Sequence, residues 1–379
     1  FANTDWYLYN FRLSLAHSLR ARGHAVVLVS PDGPYGKRLR DLGFRWIAAP
    51  LDRRSLNLLR EARLVHWLGR LLRDEKVDLV HGFTIKCAVY AAVAARLAGN
   101  VAYVGAVAGL GYVFTSASLR ARMLRPLLRG LMRATLGGRA GRVVLQNPDD
   151  VALFVRERLV AEEQLRLIPS SGVDCGTFSP LPGGQSGDAA FRVLLPARLL
   201  WDKGVGDLID AARKLQAMGR LAAPQETGEA GSAASARPVR ILLAGDPDPG
   251  NPAAVPEETL RKWQETGLVQ WLGHVEKMPD CLRSADAVVL PSYREGLPRG
   301  LIEAGACGRP LITTDAPGCR EVVTHEREGL LVPVRDAGAL ASAMLRLADD
   351  PALCERLGAA AREKVLQEFE RVLGIRSGE

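Results

Sequence analysis

Several signatures are missing from this chain of 379 residues. Its six cysteines contain no C-x-x-C, and neither they nor the six histidines stand at metal-ligand spacing. That argues against a structural zinc site and against a disulfide-stapled fold. No run is long and apolar enough for a transmembrane helix. The most apolar stretch, residues 87–95, is closed off by Lys86 and Arg96. No G-x-G-x-x-G opens a helix after a strand and no Walker A is present, which excludes the usual marks of NAD chemistry and P-loop ATP hydrolysis. Zinc-finger and RNP patterns are absent too, so nucleic acid is not an expected partner. The cysteines read as reduced, mostly buried thiols of a cytosolic protein.

What is present fits an ordinary globular protein: 47% hydrophobic and 24% charged residues. The net charge of +8 is unevenly spread. Residues 1–175 carry 26 Lys and Arg against 14 Asp and Glu, while the remainder carries 24 against 28. A basic half joined to a mildly acidic half suggests that the first half meets something anionic, such as a membrane or a phosphate-bearing substrate.

Apolar runs of strand length alternate with segments of helical period. Residues 25–29, 77–80, 101–107, 143–145 and 165–168 read as buried strands, with helical patterns at 11–22 and 56–73. The alternation restarts at 192–195, 241–244, 269–272, 287–290 and 310–313, with helices at 206–218 and 337–348. Continuous apolar strands divided by helices predict parallel sheets covered on both faces. The Pro/Gly-rich run 179–187 reads as a linker, and residues 224–238 as a variable surface loop. The expected architecture is α/β, with two doubly wound domains facing across a cleft. They cover residues 1–177 and 178–360, and residues 361–379 are a helix that packs back on the first domain. The chain enters at Phe1 almost directly into Asn3-Thr-Asp-Trp-Tyr, so a first strand is expected upstream.

The densest candidate site is Pro291-Ser-Tyr-Arg-Glu-Gly-Leu-Pro-Arg-Gly-Leu-Ile-Glu. A strand ends, a loop follows, and a helix begins near Pro298, a residue favoured in a first turn. Such a loop and turn suit a phosphate. Glu295 and Glu303 flank it, and carboxylates beside an anion site make sense as acceptors of sugar hydroxyls. Arg198 and Lys203 follow another strand end, and together suit a nucleotide diphosphate. Gly245, in Ala244-Gly-Asp246, permits close approach of a ligand to the backbone. Each element alone is equally compatible with solvated surface charge. Asp246-Pro-Asp248 spells D-x-D but reads as a turn.

Together these segments resemble glycosyltransferase family 4, retaining enzymes of the GT-B fold, over nearly the whole chain. Glu295 and Glu303 match that family's E-x7-E motif, and Arg198 with Lys203 matches its basic pair. Residues 171–174, 244–246 and 318–321 fall where members carry comparable loops. Residues 78–86 and 109–114 look like the bacterial branch that builds surface polysaccharides and lipid-linked glycans. The resemblance implies a retaining, metal-independent hexosyltransferase without a cofactor. It would move a hexose or N-acetylhexosamine from a nucleoside diphosphate, most simply UDP, to a glycan or polyprenyl-diphosphate-linked acceptor. It further implies that Arg198 and Lys203 hold the diphosphate and Glu295 the donor-sugar hydroxyls. Gly296 and Leu297 would offer N–H groups beside them, Pro298, Leu301 and Ile302 would shape the donor site, and Glu303 would hold the ribose. Asp5, Trp6, His81, Thr84 and Lys86 are assigned to the acceptor side. Phe83 stands where many members have the second His of His-x-His. The rival readings are a UDP-sugar epimerase of the same fold and a non-catalytic nucleotide-sugar-binding protein at the membrane.

Residues 118–136 alternate Arg120, Arg122, Arg125, Arg129 and Arg133 with leucines and methionines, and no acidic residue occurs between Asp78 and Asp149. At helical spacing Leu124, Leu127, Leu128 and Leu131 share a face beside the arginines. This predicts a helix lying on an anionic membrane surface, with the protein peripheral on the inner face of the cell membrane; the alternative is a surface helix whose leucines face the core and whose arginines are merely solvated.

Overall fold

The structure is a computed structural model. It describes residues 1–52, 55, 57–99, 101–109, 119–138, 141–169, 172–180, 189–222, 237–248 and 250–370. The expected linker core at 181–187, the loop 224–236 and the motif residues 110–114 and 171 lie outside these.

Among the described residues the chain divides into two compact units, one reaching residue 169 and the other running from residue 172 to residue 370. The division falls ahead of the expected boundary because Val173 and Cys175 are buried in the core of the second unit. Residues 361–370 belong to that unit as well, and the rest of the expected C-terminal helix, 371–379, lies outside the described residues. Ala361, Val365 and Phe369 lie in its core. The Arg362 guanidinium ties the helix Pro351–Lys364 to the carbonyls of Cys175 (3.2 Å) and Phe178 (2.7 Å).

In the first unit, strands β1 (Val27–Ser30) and β2 (Arg45–Ala48) pair in parallel. A second parallel sheet runs β3 (Leu79–Phe83), β4 (Ala102–Val107), β5 (Gly141–Leu145) and β6 (Leu165–Leu167) in that order. Phe1 and Ala2 hydrogen-bond to both: the Phe1 nitrogen donates to His81, the Phe83 N–H to Phe1, and the Ala2 N–H to Val29.

The second unit holds one six-stranded parallel sheet. Its strands are β7 (Phe191–Pro196), β8 (Val239–Ala244), β9 (Gln270–Gly273), β10 (Ala287–Leu290), β11 (Leu311–Thr314) and β12 (Gly329–Val332), in the order β12-β11-β10-β7-β8-β9. Alternate residues feed the two faces. Val193 and Leu195 join one cluster with Ile241 and Val289, while Leu194, Leu242 and Val288 join the other. This order reverses direction between β7 and β10, the place where a doubly wound sheet opens a crevice at its carboxyl edge.

The last helix is seated by a glycine. A methyl on Gly358 would stand 2.3 Å from the Gly308 carbonyl oxygen. Gly358→Ala therefore forces a backbone shift and is expected to lower unfolding free energy by about 1–3 kcal/mol, read by denaturant titration. An unchanged midpoint would contradict this seating.

Candidate functional site

The two loops at the switch point carry the sequence motifs. After β7 the chain runs through Arg198 into a short 3-10 turn, Trp201–Lys203, and turns at Gly204 (φ +72°) into the helix Val205–Ala217. After β10 it runs through Ser292 and Glu295 into the helix Arg299–Ala306, with Pro298 at the N-cap. The loops touch: the Tyr293 N–H donates to the Asp202 carbonyl at 3.0 Å. A Cβ on Gly204 would lie 2.0 Å from the Pro291 oxygen. Only glycine meets both the left-handed φ and this approach.

That contact brings the basic and acidic motifs together. Lys203 Nζ donates to Glu295 Oε1 at 2.5 Å, and Ser292 Oγ donates to the same oxygen at 2.6 Å. Both charged side chains are largely buried. The Glu295 N–H donates to Pro317 O, and Gly318 (φ +85°) passes so close that a Cβ would stand 2.5 Å from the Glu295 carbonyl oxygen. Beneath lies Cys319, whose thiol is pushed up to about 12 by burial and then by the Glu295 charge. Arg198 Nη1 donates to Asp248 Oδ2 at 2.9 Å, which also accepts from Asn251. Asp248 of the D-x-D run thus serves Arg198.

Glu303 accepts from Arg299 Nε at 2.6 Å, one helical turn earlier. Burial pushes the Glu303 carboxyl above its ordinary range, and the Arg299 charge opposes this. Leu297, Leu301 and Ile302 point into the core and anchor the loop and helix from below. Gly245 (φ +145°) is required by the protein itself: a Cβ there would meet the Ala197 carbonyl oxygen at 2.1 Å. The close neighbour of that glycine is therefore the end of β7.

The residues assigned to the acceptor side separate into two kinds. Asp5 is buried, and its carboxylate accepts from the N–H groups of Tyr35 (2.6 Å) and Gly36 (3.0 Å), capping the helix Pro34–Asp41. Lys86 donates to Asp52 O, Ser55 O and Glu61 Oε1 at 2.9–3.0 Å, which occupies all three ammonium hydrogens. Both fasten the fold, a role their sequence context does not signal. Trp6 is partly exposed with its ring edge against Phe11. His81 stacks on Phe83 (centroids 4.1 Å), and burial, then the positive charges at Phe1 and Arg12, push it down to about 3. Thr84 holds φ +77° and ψ 159° at the junction of β3 with the helix Ile85–Ala98, a conformation that costs about 1–3 kcal/mol.

The basic helix spans Leu119–Leu136. Met123 and Leu127 are each 71% exposed, and Leu124 and Leu131 are exposed as well. Leu128 turns to the core with Met132 and Leu136 and leaves the outer face expected for it. The positive charge is also partly balanced. Arg129 pairs with Glu157 at 3.3 Å and Arg133 donates to the Glu157 carbonyl, because the fold sets the end of the helix Pro148–Arg156 beside them. Arg122 is exposed, and the Arg120 side chain lies outside the described residues.

Sequence reading missed Ser292, Arg299 and Asp248. Of these, Arg299 alone carried a signal, since i and i+4 residues of a helix meet.

Two Rossmann-like units, the second with paired bases and acids at its switch point, define a nucleotide-sugar enzyme of the GT-B fold. The family comparisons agree. Residues 190–350 match the model described as glycosyl transferases group 1, and residues 10–170 match the glycosyl transferase 4-like domain. The chain belongs to this glycosyltransferase family. Among curated relatives it is 26% identical to N,N'-diacetylbacillosaminyl-diphospho-undecaprenol alpha-1,3-N-acetylgalactosaminyltransferase of Campylobacter jejuni, covering 97% of this chain and 94% of the relative. It is 25% identical to UDP-Gal:alpha-D-GlcNAc-diphosphoundecaprenol alpha-1,3-galactosyltransferase of Escherichia coli, covering 91% and 85%. Among solved structures, HepE of Anabaena in complex with UDP and glucose aligns with a TM-score of 0.74 at 20% identity, covering 98% and 95%. Sucrose-phosphate synthase of Thermosynechococcus elongatus aligns with 0.76 at 24%, covering 95% and 89%.

Proposed function

We propose that this glycosyltransferase moves a hexose or N-acetylhexosamine, with retention, from UDP to a glycan carried on a polyprenyl diphosphate. The observation that carries the reading is the contact of Lys203 with Glu295 between the loops after β7 and β10, which also carry Arg198 and lead into the helix that holds Glu303. The printed activities of the two curated relatives, both on undecaprenyl-diphosphate acceptors, support the acceptor class. The UDP and glucose complex of a structural neighbour supports the donor.

In this reading the second unit binds donor and the first unit acceptor. As the glycosidic bond breaks, the anomeric carbon becomes oxocarbenium-like and negative charge grows on the departing diphosphate. Cations fixed where that charge develops stabilise the transition state more than the ground state. Lys203 and Arg198 fill this role, moving from their carboxylate partners to phosphate oxygens. Glu295 then accepts from donor-sugar hydroxyls, still held by Ser292. The acceptor hydroxyl attacks from the face the diphosphate leaves, and a phosphate oxygen takes its proton, which gives retention.

Arg198→Ala and Lys203→Ala are each expected to lower kcat/KM with a UDP-sugar by about ten- to a hundredfold, the equivalent of one lost charge-assisted bond. Wild-type values in either would refute the diphosphate role.

The ribose assignment makes a pH prediction. An ionised carboxylate accepts from both hydroxyls of a diol with charge assistance and the protonated acid does not, so UDP affinity falls as pH drops through the raised Glu303 value. Arg299→Gln removes the opposing cation and should shift that fall to higher pH, whereas Arg299→Lys should not. Calorimetry with UDP across about pH 5 to 8 reads the difference.

The exposed apolar strip at Met123, Leu124, Leu127 and Leu131, with Arg122 beside it, supports docking on an anionic membrane. Among the described residues no helix is long and apolar enough to cross one. Vesicles containing phosphatidylglycerol should bind the protein at low salt. The double change Leu127→Glu and Arg122→Glu should abolish this while UDP binding persists. Equal partitioning of the two proteins would return the helix to a solvated surface.

A further inference from the structure

At the carboxyl ends of β1 and β2 the first unit holds an open pocket of 620 Å³. Its floor is apolar, and its functional wall is built from Asp32, Asp52, Arg60, Arg63 and Trp67. None of these belongs to the motifs discussed so far. We infer that this pocket is the subsite for the acceptor saccharide, an inference that rests on the transferase reading above.

Position is the first argument. Ligands of parallel α/β sheets sit beyond the carboxyl ends of the strands, and the volume lies within the range of small-molecule sites. Chemistry is the second. Two carboxylates and two guanidiniums offer both acceptors and donors, and among these lining residues the charges cancel. A nucleotide diphosphate gains nothing from such balance, whereas a neutral polyol uses both kinds of group. The indole of Trp67 is half-buried and adds a flat apolar wall for a pyranose ring.

The wall is held in place before any ligand arrives. Arg60 Nη1 donates to Asp52 Oδ2 at 3.2 Å. Lys86 holds the backbone of Asp52 and Ser55 against Glu61 of the helix Leu58–Asp74. This gives Lys86 a positioning role in the acceptor side, through the pocket wall.

The neighbouring hollow adds a second kind of surface. It shares Arg63 and Trp67 with the pocket and adds His66, Arg70 and Leu59, with no acidic residue in its lining. The helix starts with Leu58 and Leu59, 84% and 72% exposed, and Leu59 itself lines the hollow. The neutral pocket, the basic hollow that shares its wall and the exposed leucines offer one surface each for saccharide, diphosphate and lipid. A bare nucleotide or a free oligosaccharide uses only part of that set. A saccharide linked to a lipid through a diphosphate matches all of it.

The probe is N-acetylglucosaminyl diphosphate carrying a short isoprenoid chain, with the plain methyl glycoside as its companion. Trp67→Ala should raise the acceptor KM by about tenfold or more while the donor KM and UDP affinity stay unchanged. It should also remove saturation transfer to the sugar-ring protons of both probes. Arg63→Ala, an exposed change that leaves the fold intact, should weaken the diphosphate probe and not the methyl glycoside, and Arg63→Lys should restore part of the loss. An acceptor KM within about twofold of wild type in Trp67→Ala and Arg63→Ala, with normal turnover, overturns the subsite and leaves the transferase reading standing. A wild-type protein that binds UDP but transfers no sugar to the probe from any UDP-sugar overturns the reading beneath it.

Discussion

The contact on which the second unit's site depends is the passage of Gly204 under the Pro291 carbonyl. It joins the loop after β7 to the loop after β10, and everything polar at the switch point follows from it. With the loops apart, Lys203 and Glu295 would be two unrelated surface charges. With them in contact, the two side chains share one largely buried ion pair, and Ser292 fixes the acid from the other side. The third strand end, after β8, is drawn in by a second glycine that passes the Ala197 carbonyl. Glycines at this edge serve the meeting of backbones.

Much of this was legible. The five strands of the second series lie within one or two residues of their expected places; four of them are central parallel strands, apolar on both faces, which leave an unbroken signature, and β9 lies at the edge. The acid and base motifs were legible because each follows such a strand. What escaped did so for physical reasons. β2 alternates exposed Arg45, buried Trp46 and partly buried Ile47, so it lacks a continuous apolar run. β12 has only four residues and opens on a glycine. Asp5 and Lys86 looked like ligand groups because a charged side chain near a strand end looks alike whether it meets a substrate or caps a distant helix. Their partners lie 25 to 34 residues away in sequence. Leu128 was placed outward because periodicity gives a face but not which side of a helix the core takes.

Charge tells a similar story. The first unit is basic as a whole, and the stretch from residue 79 to residue 148 contains no acid. Folding nevertheless brings Glu157 to the arginines of the helix Leu119–Leu136. Two arginines thereby become part of the packing, and the charge that faces outward is smaller than a count along the chain implies. The apolar residues move the other way, since more of them stand exposed than a globular helix needs.

In the donor-binding reading proposed above, the ion pair between Lys203 and Glu295 is also a lock that admits by combination. A site with a bare lysine would hold any passing phosphate. Here a phosphate must first draw Lys203 away from its carboxylate, and inorganic phosphate or a nucleotide alone brings nothing for that carboxylate in exchange. A nucleotide-sugar brings both halves, oxygens for the lysine and hydroxyls for the glutamate. In that reading, discrimination between the nucleotide-sugar and its spent nucleotide follows from the resting pair, which closes again as the product leaves.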